Sequence, residues 1–141
     1  MTMNQINNLP QNPGLLPKAN TTKNFSDIEL CCSCCGENKM EESFLQKLQA
    51  IRDEFAHPMH VNSAYRCSAF NMRISTTGED GPHTTGRAID IGVAGKEALR
   101  LVALALKHGM TGIGLSQKGD YTSRFLHMDD LTEGRPHTWT Y

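Results

Sequence analysis

Apolar residues recur at helical spacing in two stretches of the chain. Residues 41–56 place five of them on one helical face, after acidic residues in the first turn: Phe44, Leu45, Leu48, Ile51 and Phe55. Residues 96–108 carry a second apolar stripe: Leu101, Val102, Ala105 and Leu106. Pro58 is expected to end the first helix, and Gly109 to cap the second. The pattern therefore predicts two main amphipathic helices.

Apolar and polar residues alternate in two other segments, as they do in strands with one buried face. Within residues 87–93, Asp90 has small neighbours on its own face, opposite three apolar side chains. Small neighbours leave room around a carboxylate, which a ligand-bearing face requires. Within residues 124–129, His127 and Asp129 share one face of the strand. Both segments are therefore predicted to present polar side chains on one side of a sheet.

The remaining segments complete the predicted domain. Shorter strands are predicted at residues 59–65 and 112–116, and a short helix at residues 68–73. Residues 1–24 are polar, rich in Asn, and without sustained periodicity, which predicts a flexible arm before a single domain at residues 25–141. We expect an α+β fold, in which a small antiparallel sheet carries the candidate site on one face and packs the two main helices on the other.

Composition limits the classes of function. With 141 residues, of which 38% are hydrophobic, the chain can bury a core without disulfides throughout. A net charge of -1 gives no basic field for binding nucleic acid. The chain has no apolar run of about 18 residues and no secretory-signal pattern at its start, so we expect no membrane span and synthesis in the cytoplasm.

Metal-ligating side chains cluster around residues 81–91. His83 lies in a loop rich in Gly and Pro, Gly86 permits a tight turn, and Asp90 follows within a predicted strand. Histidine nitrogen and carboxylate oxygen are ligands of catalytic zinc sites, which keep one position open for water. His127 is the natural third ligand, because apolar neighbours would fix its ring. From the residues alone, a His-Asp-His zinc site stands beside the alternative that these histidines are surface or hydrogen-bonded residues.

Several motifs carry a resemblance to a known family. They are Ser63-Ala64-Tyr65-Arg66-Cys67 with Asn71, His83-x-x-Gly86-Arg87-Ala88-x-Asp90, Phe125-Leu126-His127-Met128-Asp129 and Trp139. Residues 25–141 resemble the zinc D-alanyl-D-alanine carboxypeptidase family, especially its small peptidoglycan-cleaving members in bacteria and phages; hedgehog signalling domains share this fold. The resemblance implies one catalytic zinc ion, bound by His83, Asp90 and His127. It also implies that Arg66 steadies the substrate carboxyl group or the oxyanion.

The general base departs from the family pattern. Many relatives carry Glu or Asp three residues before the last histidine ligand, where this chain has Arg124, which cannot take a proton from water. Asp129 is the best substitute by spacing, since it shares a strand face with His127. Alternatively, Asp129 orients His127 by hydrogen bonding. Both roles stay open, and Asp120 and Asp130 are poorer candidates.

The cysteines suggest a second site. Four of the five lie together, in two overlapping pairs with knuckle spacing: Cys31, Cys32, Cys34 and Cys35. A structural zinc ion at these four residues is one interpretation, with Cys67, His57 and His60 as the other ligands that the chain offers. A disulfide to Cys67 is another, and reduced packing cysteines are the favoured outcome. The resemblance implies a stabilising role.

The expected function is zinc-dependent hydrolysis of amide bonds in peptidoglycan stem peptides or cross-links, by a monomer acting as a D,D-carboxypeptidase or endopeptidase. Small size and the lack of a signal peptide favour a phage lysis enzyme or virion component that reaches the cell wall after phage-mediated release. Arg124 supports an alternative, a non-hydrolytic zinc-binding or peptidoglycan-binding module of the same fold. A cysteine-based redox or zinc-finger protein is a third possibility. His137 is expected at the surface.

Overall fold

A five-stranded sheet forms the centre of the fold in the computed structural model, which describes residues 19–141. Its strands, in chain order, are β1 (His60–Ser63), β2 (Ala88–Gly92), β3 (Gly112–Ser116), β4 (Phe125–Asp129) and β5 (His137–Thr140). Their order in the sheet is β1-β2-β4-β3-β5. The predicted strand ranges agree with β1 to β4 to within a few residues. In β2 and β4, which were predicted from alternation, Ile89, Ile91, Leu126 and Met128 belong to the core.

Within residues 19–141, four helices accompany the sheet: α1 (Asp27–Leu30), α2 (Glu42–Phe55), α3 (Ser68–Ile74) and α4 (Gly95–Lys107). Helices α2 and α4 are the two predicted main helices, so the α+β class is confirmed. Helix α2 ends at Ala56, which adopts a left-handed conformation with φ 60°, directly before His57-Pro58. The described part of the chain also contains two short 3₁₀ turns, at Pro82–Thr85 and Tyr121–Ser123. None of the described helices is long and apolar enough to cross a bilayer.

The sheet is mixed, which corrects the prediction of an antiparallel sheet. The β1/β2, β2/β4 and β3/β4 pairs are antiparallel, but β5 pairs with β3 in parallel. After β4 the chain reverses direction and forms β5 on the far side of β3. Strand β5 therefore runs opposite to β4 and in the same direction as β3. No strand was predicted here because β5 is an edge strand with mostly exposed side chains and no apolar alternation.

The main core lies between the sheet and its two long helices. Its fully buried members include Leu48 and Ile51 of α2 and Leu101 of α4. The sheet contributes four side chains to the same cluster: Ile89, Ile91, Leu126 and Met128. Because strand side chains alternate, this arrangement turns the intervening residues of β2 and β4 to the opposite face. That face carries the polar residues of the predicted site.

The segment before α1 contacts the domain. The Asn20 side chain donates a hydrogen bond to the Met40 carbonyl at 2.6 Å, and the Thr22 hydroxyl donates one to Gln49 at 2.6 Å. Phe25 is fully buried. Residues 19–24 thus lie against helix α2 and the segment before it, whereas the rest of the arm predicted at residues 1–24 falls outside the described residues.

Candidate metal site

Three metal-ligating side chains meet on the polar face of the sheet. His83, Asp90 and His127 are all buried, and their ligand atoms lie within 4.8 Å of one another. Asp90 Oδ1 is 3.2 Å from His83 Nε2 and 2.9 Å from His127 Nδ1. The structure therefore brings together the three residues that the sequence predicted as zinc ligands, although they span more than forty positions of the chain.

Strand register and one glycine turn produce this convergence. The antiparallel pairing of β2 with β4 places Asp90 directly opposite His127. His83 comes from the 3₁₀ turn before β2, which ends at Gly86 with φ 75°. A Cβ atom at Gly86 would overlap the Lys39 carbonyl, so both the backbone conformation and the close approach require glycine. The turn therefore returns the chain into β2 and leaves His83 above Asp90.

The hydrogen bonds around the two rings fit a bound cation. His83 Nδ1 lies 2.7 Å from the Ala64 carbonyl, and His127 Nε2 lies 2.8 Å from the Asp129 carboxylate. Both partners are acceptors, so these nitrogens carry the ring protons. A neutral ring then presents a lone pair toward Asp90 from its other nitrogen. Two lone pairs facing one carboxylate require either a second proton on each ring or a metal ion between them.

The charge balance of the site favours an anionic Asp90. Burial raises the pKa of the Asp90 carboxyl, but hydrogen bonds with His127 and His83 outweigh it and hold that pKa well below its usual range. Burial lowers the pKa of His127, and its contacts with Asp129 and Asp90 raise it overall. An ion in place of the ring protons that face Asp90 would meet two imidazole nitrogens and one carboxylate, a donor set that suits zinc.

Asp129 lies on the far side of His127 and forms an ion pair with Arg135. Arg135 Nε donates to Asp129 Oδ1 at 2.9 Å, and Arg135 Nη2 donates to Oδ2 at 2.8 Å. Burial raises the pKa of Asp129, but hydrogen bonds with His127 and Arg135 lower it to about 2. Sequence reasoning missed Arg135, because it lies in a turn after β4 where neither spacing nor periodicity indicates a partner.

Arg66 lies beside Asp90, the carboxylate of the cluster. Its guanidinium donates to Asp90 Oδ2 at 3.4 Å, to the Ser63 hydroxyl at 2.9 Å and to Asn71 Oδ1 at 3.1 Å. Asn71 is buried and donates in turn to the Gly78 carbonyl at 2.6 Å. The guanidinium is thus held in a fixed orientation at the edge of the cluster.

Comparison with known families agrees with this geometry. A family model described as Peptidase M15 matches residues 21–129. The chain belongs to the Peptidase M15 family. No curated protein sequence matches it significantly. Membership of this family indicates that the chain is a metallopeptidase, and Peptidase M15 members are zinc enzymes. The match includes Arg66 and all three clustered residues, and it ends at Asp129, before Arg135 and β5.

In this Peptidase M15 chain the clustered residues lie in a cleft of about 530 Å³. The C-terminal segment forms one wall of the cleft through His137, Trp139 and Tyr141. The Trp139 ring lies 5.0 Å from that of His127 and 5.9 Å from that of His137. His137 is exposed, as expected, yet it lines the cleft. The conformation of β5, which the sequence did not predict, is what brings this wall to the site.

Arg124 and the two poorer candidate bases, Asp120 and Asp130, lie in interactions unrelated to the cluster. Arg124 donates to the Gly119 carbonyl through Nε and Nη2, and its guanidinium lies 4.3 Å from the centre of the Tyr121 ring. Asp120 accepts from the Thr122 backbone within the same turn. Asp130 is buried and paired with Lys47 and Arg87: Arg87 Nε is 2.8 Å from Oδ1, and Lys47 Nζ is 2.8 Å from Oδ2. Arg124 therefore stabilises the loop that precedes β4.

The cysteines form a cluster that differs from the four-residue set predicted at Cys31, Cys32, Cys34 and Cys35. The structure brings Cys32 and Cys35 together with Cys67, and neither His57 nor His60 belongs to the group. Cys31 Sγ instead points to the Ile28 carbonyl at 3.6 Å, and Cys34 Sγ accepts from Arg73 at 3.2 Å. Adjacent residues in this turn point in different directions. The pair Cys32 and Cys35 therefore faces Cys67, whereas Cys31 and Cys34 do not.

Proposed function

We propose that this Peptidase M15 member hydrolyses amide bonds in the stem peptides or cross-links of peptidoglycan. The buried cluster of His83, Asp90 and His127, with the Arg66 guanidinium 3.4 Å from Asp90, carries the proposal. A zinc ion at this cluster would polarise a substrate carbonyl and lower the pKa of water toward neutrality. His83 Nε2, an Asp90 oxygen and His127 Nδ1 would hold it.

Arg66 supplies the positive charge that the reaction requires beside the metal. Its guanidinium is anchored by Ser63 and Asn71, so its orientation does not have to be fixed when substrate binds. In the carboxypeptidase mode it would bind the terminal carboxylate of a D-alanyl-D-alanine substrate. In the endopeptidase mode it would stabilise the negative charge that develops on the carbonyl oxygen. A planar guanidinium suits both roles, since it donates to two oxygens at once.

We assign Asp129 to orienting His127, the second of the two roles that the sequence left open. Its carboxylate faces the ring nitrogen opposite the metal-binding one, and both of its oxygens accept from Arg135. A carboxylate held this way is a poor proton acceptor for water on the other side of the ring. Among the described residues that line the cleft, two titratable side chains neither belong to the cluster nor form an ion pair. They are His137 and Tyr141.

His137 is therefore our candidate for moving the proton between water and the leaving amine, because a histidine can accept and donate near neutral pH. Burial raises the pKa of the Tyr141 hydroxyl. That change suits Tyr141 to donating a hydrogen bond to substrate rather than to accepting a proton. Both residues belong to the C-terminal wall of the cleft.

The proposal places the enzyme at the bacterial cell wall, as a phage lysis enzyme or virion component acting as a monomer. A second candidate is a non-hydrolytic module that binds zinc and peptidoglycan. It is favoured by Arg124, which occupies the position of an acid in many relatives, and by the ion pairing of Asp129.

Digestion of purified peptidoglycan distinguishes the two candidates. The zinc-loaded protein is incubated with walls of different peptide composition, and the soluble products are identified by mass spectrometry. Free D-alanine would identify the carboxypeptidase mode, and conversion of cross-linked dimers to monomers the endopeptidase mode. Walls that bind the protein but release neither product would support the binding module and overturn the proposed activity.

A further inference from the structure

Three cysteine sulfurs converge on the side of the domain where the chain enters it. Cys32 lies two residues after the end of α1, Cys35 lies in the turn that follows, and Cys67 precedes the first residue of α3. Their Sγ atoms all lie within 4.8 Å of one another. Cys32 is buried, Cys67 is half-buried and Cys35 is exposed, and all three are free thiols.

We propose that Cys32, Cys35 and Cys67 form a second metal site, distinct from the His-Asp-His cluster, that binds zinc through thiolates. The Cys32-x-x-Cys35 spacing is that of a zinc knuckle, and the third sulfur comes from a distant part of the chain, as in structural zinc sites. Three thiolates form a soft donor set that selects thiophilic ions over magnesium or calcium. Cys35 is exposed, so a further ligand from solvent would be able to complete the coordination of an ion held by the three sulfurs.

The backbone around Cys32 has the geometry of a metal-binding turn. Cys32 N–H donates to the Glu37 carbonyl at 2.7 Å, and Gly36 N–H donates to the Cys32 carbonyl at 2.8 Å, which closes the loop. The Cys67 N–H points to Cys32 Sγ at 3.4 Å. An N–H donor at a cysteine sulfur stabilises the thiolate, which is the form that binds a metal ion.

The cluster is joined to the candidate active site through residues 64–67. The Tyr65 N–H donates to the Leu30 carbonyl at 3.1 Å, and the Arg66 N–H donates to the His83 carbonyl at 3.2 Å. A zinc ion bound by Cys67 would therefore fix the end of the segment whose Ala64 carbonyl orients His83. The second site has a structural role in this proposal: it fastens the entering chain to the segment that carries Arg66.

Metal counting on the full chain tests the proposal, with neighbouring cysteines as matched controls. Protein purified under reducing conditions is loaded with zinc, and bound zinc per chain is measured. We expect about two zinc ions per chain in the wild type and in Cys34→Ser, but about one in Cys35→Ser and in Cys67→Ser. His83→Ala should also bind about one, which separates this proposal from the catalytic one. Cys35 is exposed, so Cys35→Ser tests the site even if Cys67→Ser fails to fold.

Cobalt substitution identifies the ligands. Cobalt bound by thiolates absorbs in the near ultraviolet through sulfur-to-metal charge transfer, so we expect this band in the wild type and in His83→Ala. It should be lost in Cys35→Ser and retained in Cys31→Ser. A wild type with one zinc ion and no thiolate band would overturn the proposal. So would a disulfide within the cluster in protein isolated without reductant, or equal loss of the band in Cys31→Ser and Cys35→Ser.

Discussion

His127 lies between two carboxylates, with Nδ1 2.9 Å from Asp90 and Nε2 2.8 Å from Asp129. The first carboxylate faces the site where the metal would bind, and the second faces the opposite ring nitrogen. Arg135 donates to both oxygens of Asp129, so the contacts run from Arg135 through Asp129 to His127, whose other ring nitrogen would hold the metal. Outer partners of this kind fix the tautomer and orientation of a ligating histidine.

Removing the outer partners should weaken metal binding. We expect Asp129→Asn and Arg135→Ala to lower zinc affinity at the His-Asp-His cluster by about 10- to 100-fold, because the His127 ring loses its fixed tautomer. Competition with a chelator of known affinity measures the change. Arg124→Ala is the control, since Arg124 contacts the 119–124 loop, and should bind zinc as the wild type does. If Asp129→Asn kept its zinc affinity but lost turnover, Asp129 would be the general base.

The absence of a side chain at Gly112 leaves room for the paired side chains of Asp129 and Arg135. A Cβ atom at this position would overlap both side chains, so we expect Gly112→Ala to destabilise the fold by about 1–3 kcal/mol and to reduce zinc affinity. Urea unfolding and zinc competition measure the two effects. Gly92→Ala serves as the control, because its nearest neighbour is the flexible Asn62 side chain at 3.0 Å. Equal stability of the two variants would contradict the packing of the Asp129–Arg135 pair.

Arg66 should affect turnover without affecting the metal. We expect Arg66→Lys to lower kcat/KM on peptidoglycan fragments by roughly 10²- to 10³-fold at unchanged zinc content, because an ammonium cannot reproduce the oriented fork of donors. Steady-state kinetics and metal analysis of the same preparation check this. Arg100→Lys, on α4, is the matched control and should retain wild-type kinetics. Loss of zinc in Arg66→Lys would instead show that Arg66 acts by holding Asp90.

Packing of helices α2 and α4 against the sheet should contribute strongly to the free energy of unfolding. Leu48 of α2 is fully buried, so we expect Leu48→Ala to lower the free energy of unfolding by about 2–5 kcal/mol. Leu99→Ala is the control, because Leu99 lies on α4 with 73% of its surface exposed, and it should change stability by less than about 0.5 kcal/mol. Urea denaturation of both variants measures the difference. Similar losses would show that the packing between α2, α4 and the sheet is wrong.

Alternation and helical periodicity predicted the elements that have one buried face. Helix α2 and strands β2 and β4 were predicted for this reason. The juxtaposition of Asp90 and His127 also followed once both strands had polar faces, although their direct pairing depends on a register that the sequence pattern does not specify. Local patterns therefore contained most of the fold and the three candidate metal ligands.

Long-range partners outside these patterns could not be predicted. Strand β5 is an exposed edge strand, so its sequence lacks alternation, and the wall that it adds to the cleft was missed. Arg135 reaches Asp129 only because the chain reverses after β4. Cys67 joins Cys32 and Cys35 only because residues 64–67 pack beside the turn after α1. Each of these contacts depends on the path of the chain between elements.

The central claim is that hydrolysis requires one zinc ion bound by His83, Asp90 and His127. The most direct measurement is hydrolysis of cross-linked peptidoglycan fragments by metal-free Cys35→Ser protein as zinc is added back, with bound zinc counted in parallel. We predict that activity rises in proportion to bound zinc and saturates at about one ion per chain, and that the same variant carrying His83→Ala stays inactive. Full hydrolysis by the metal-free protein, or by the variant that lacks His83, would contradict the claim.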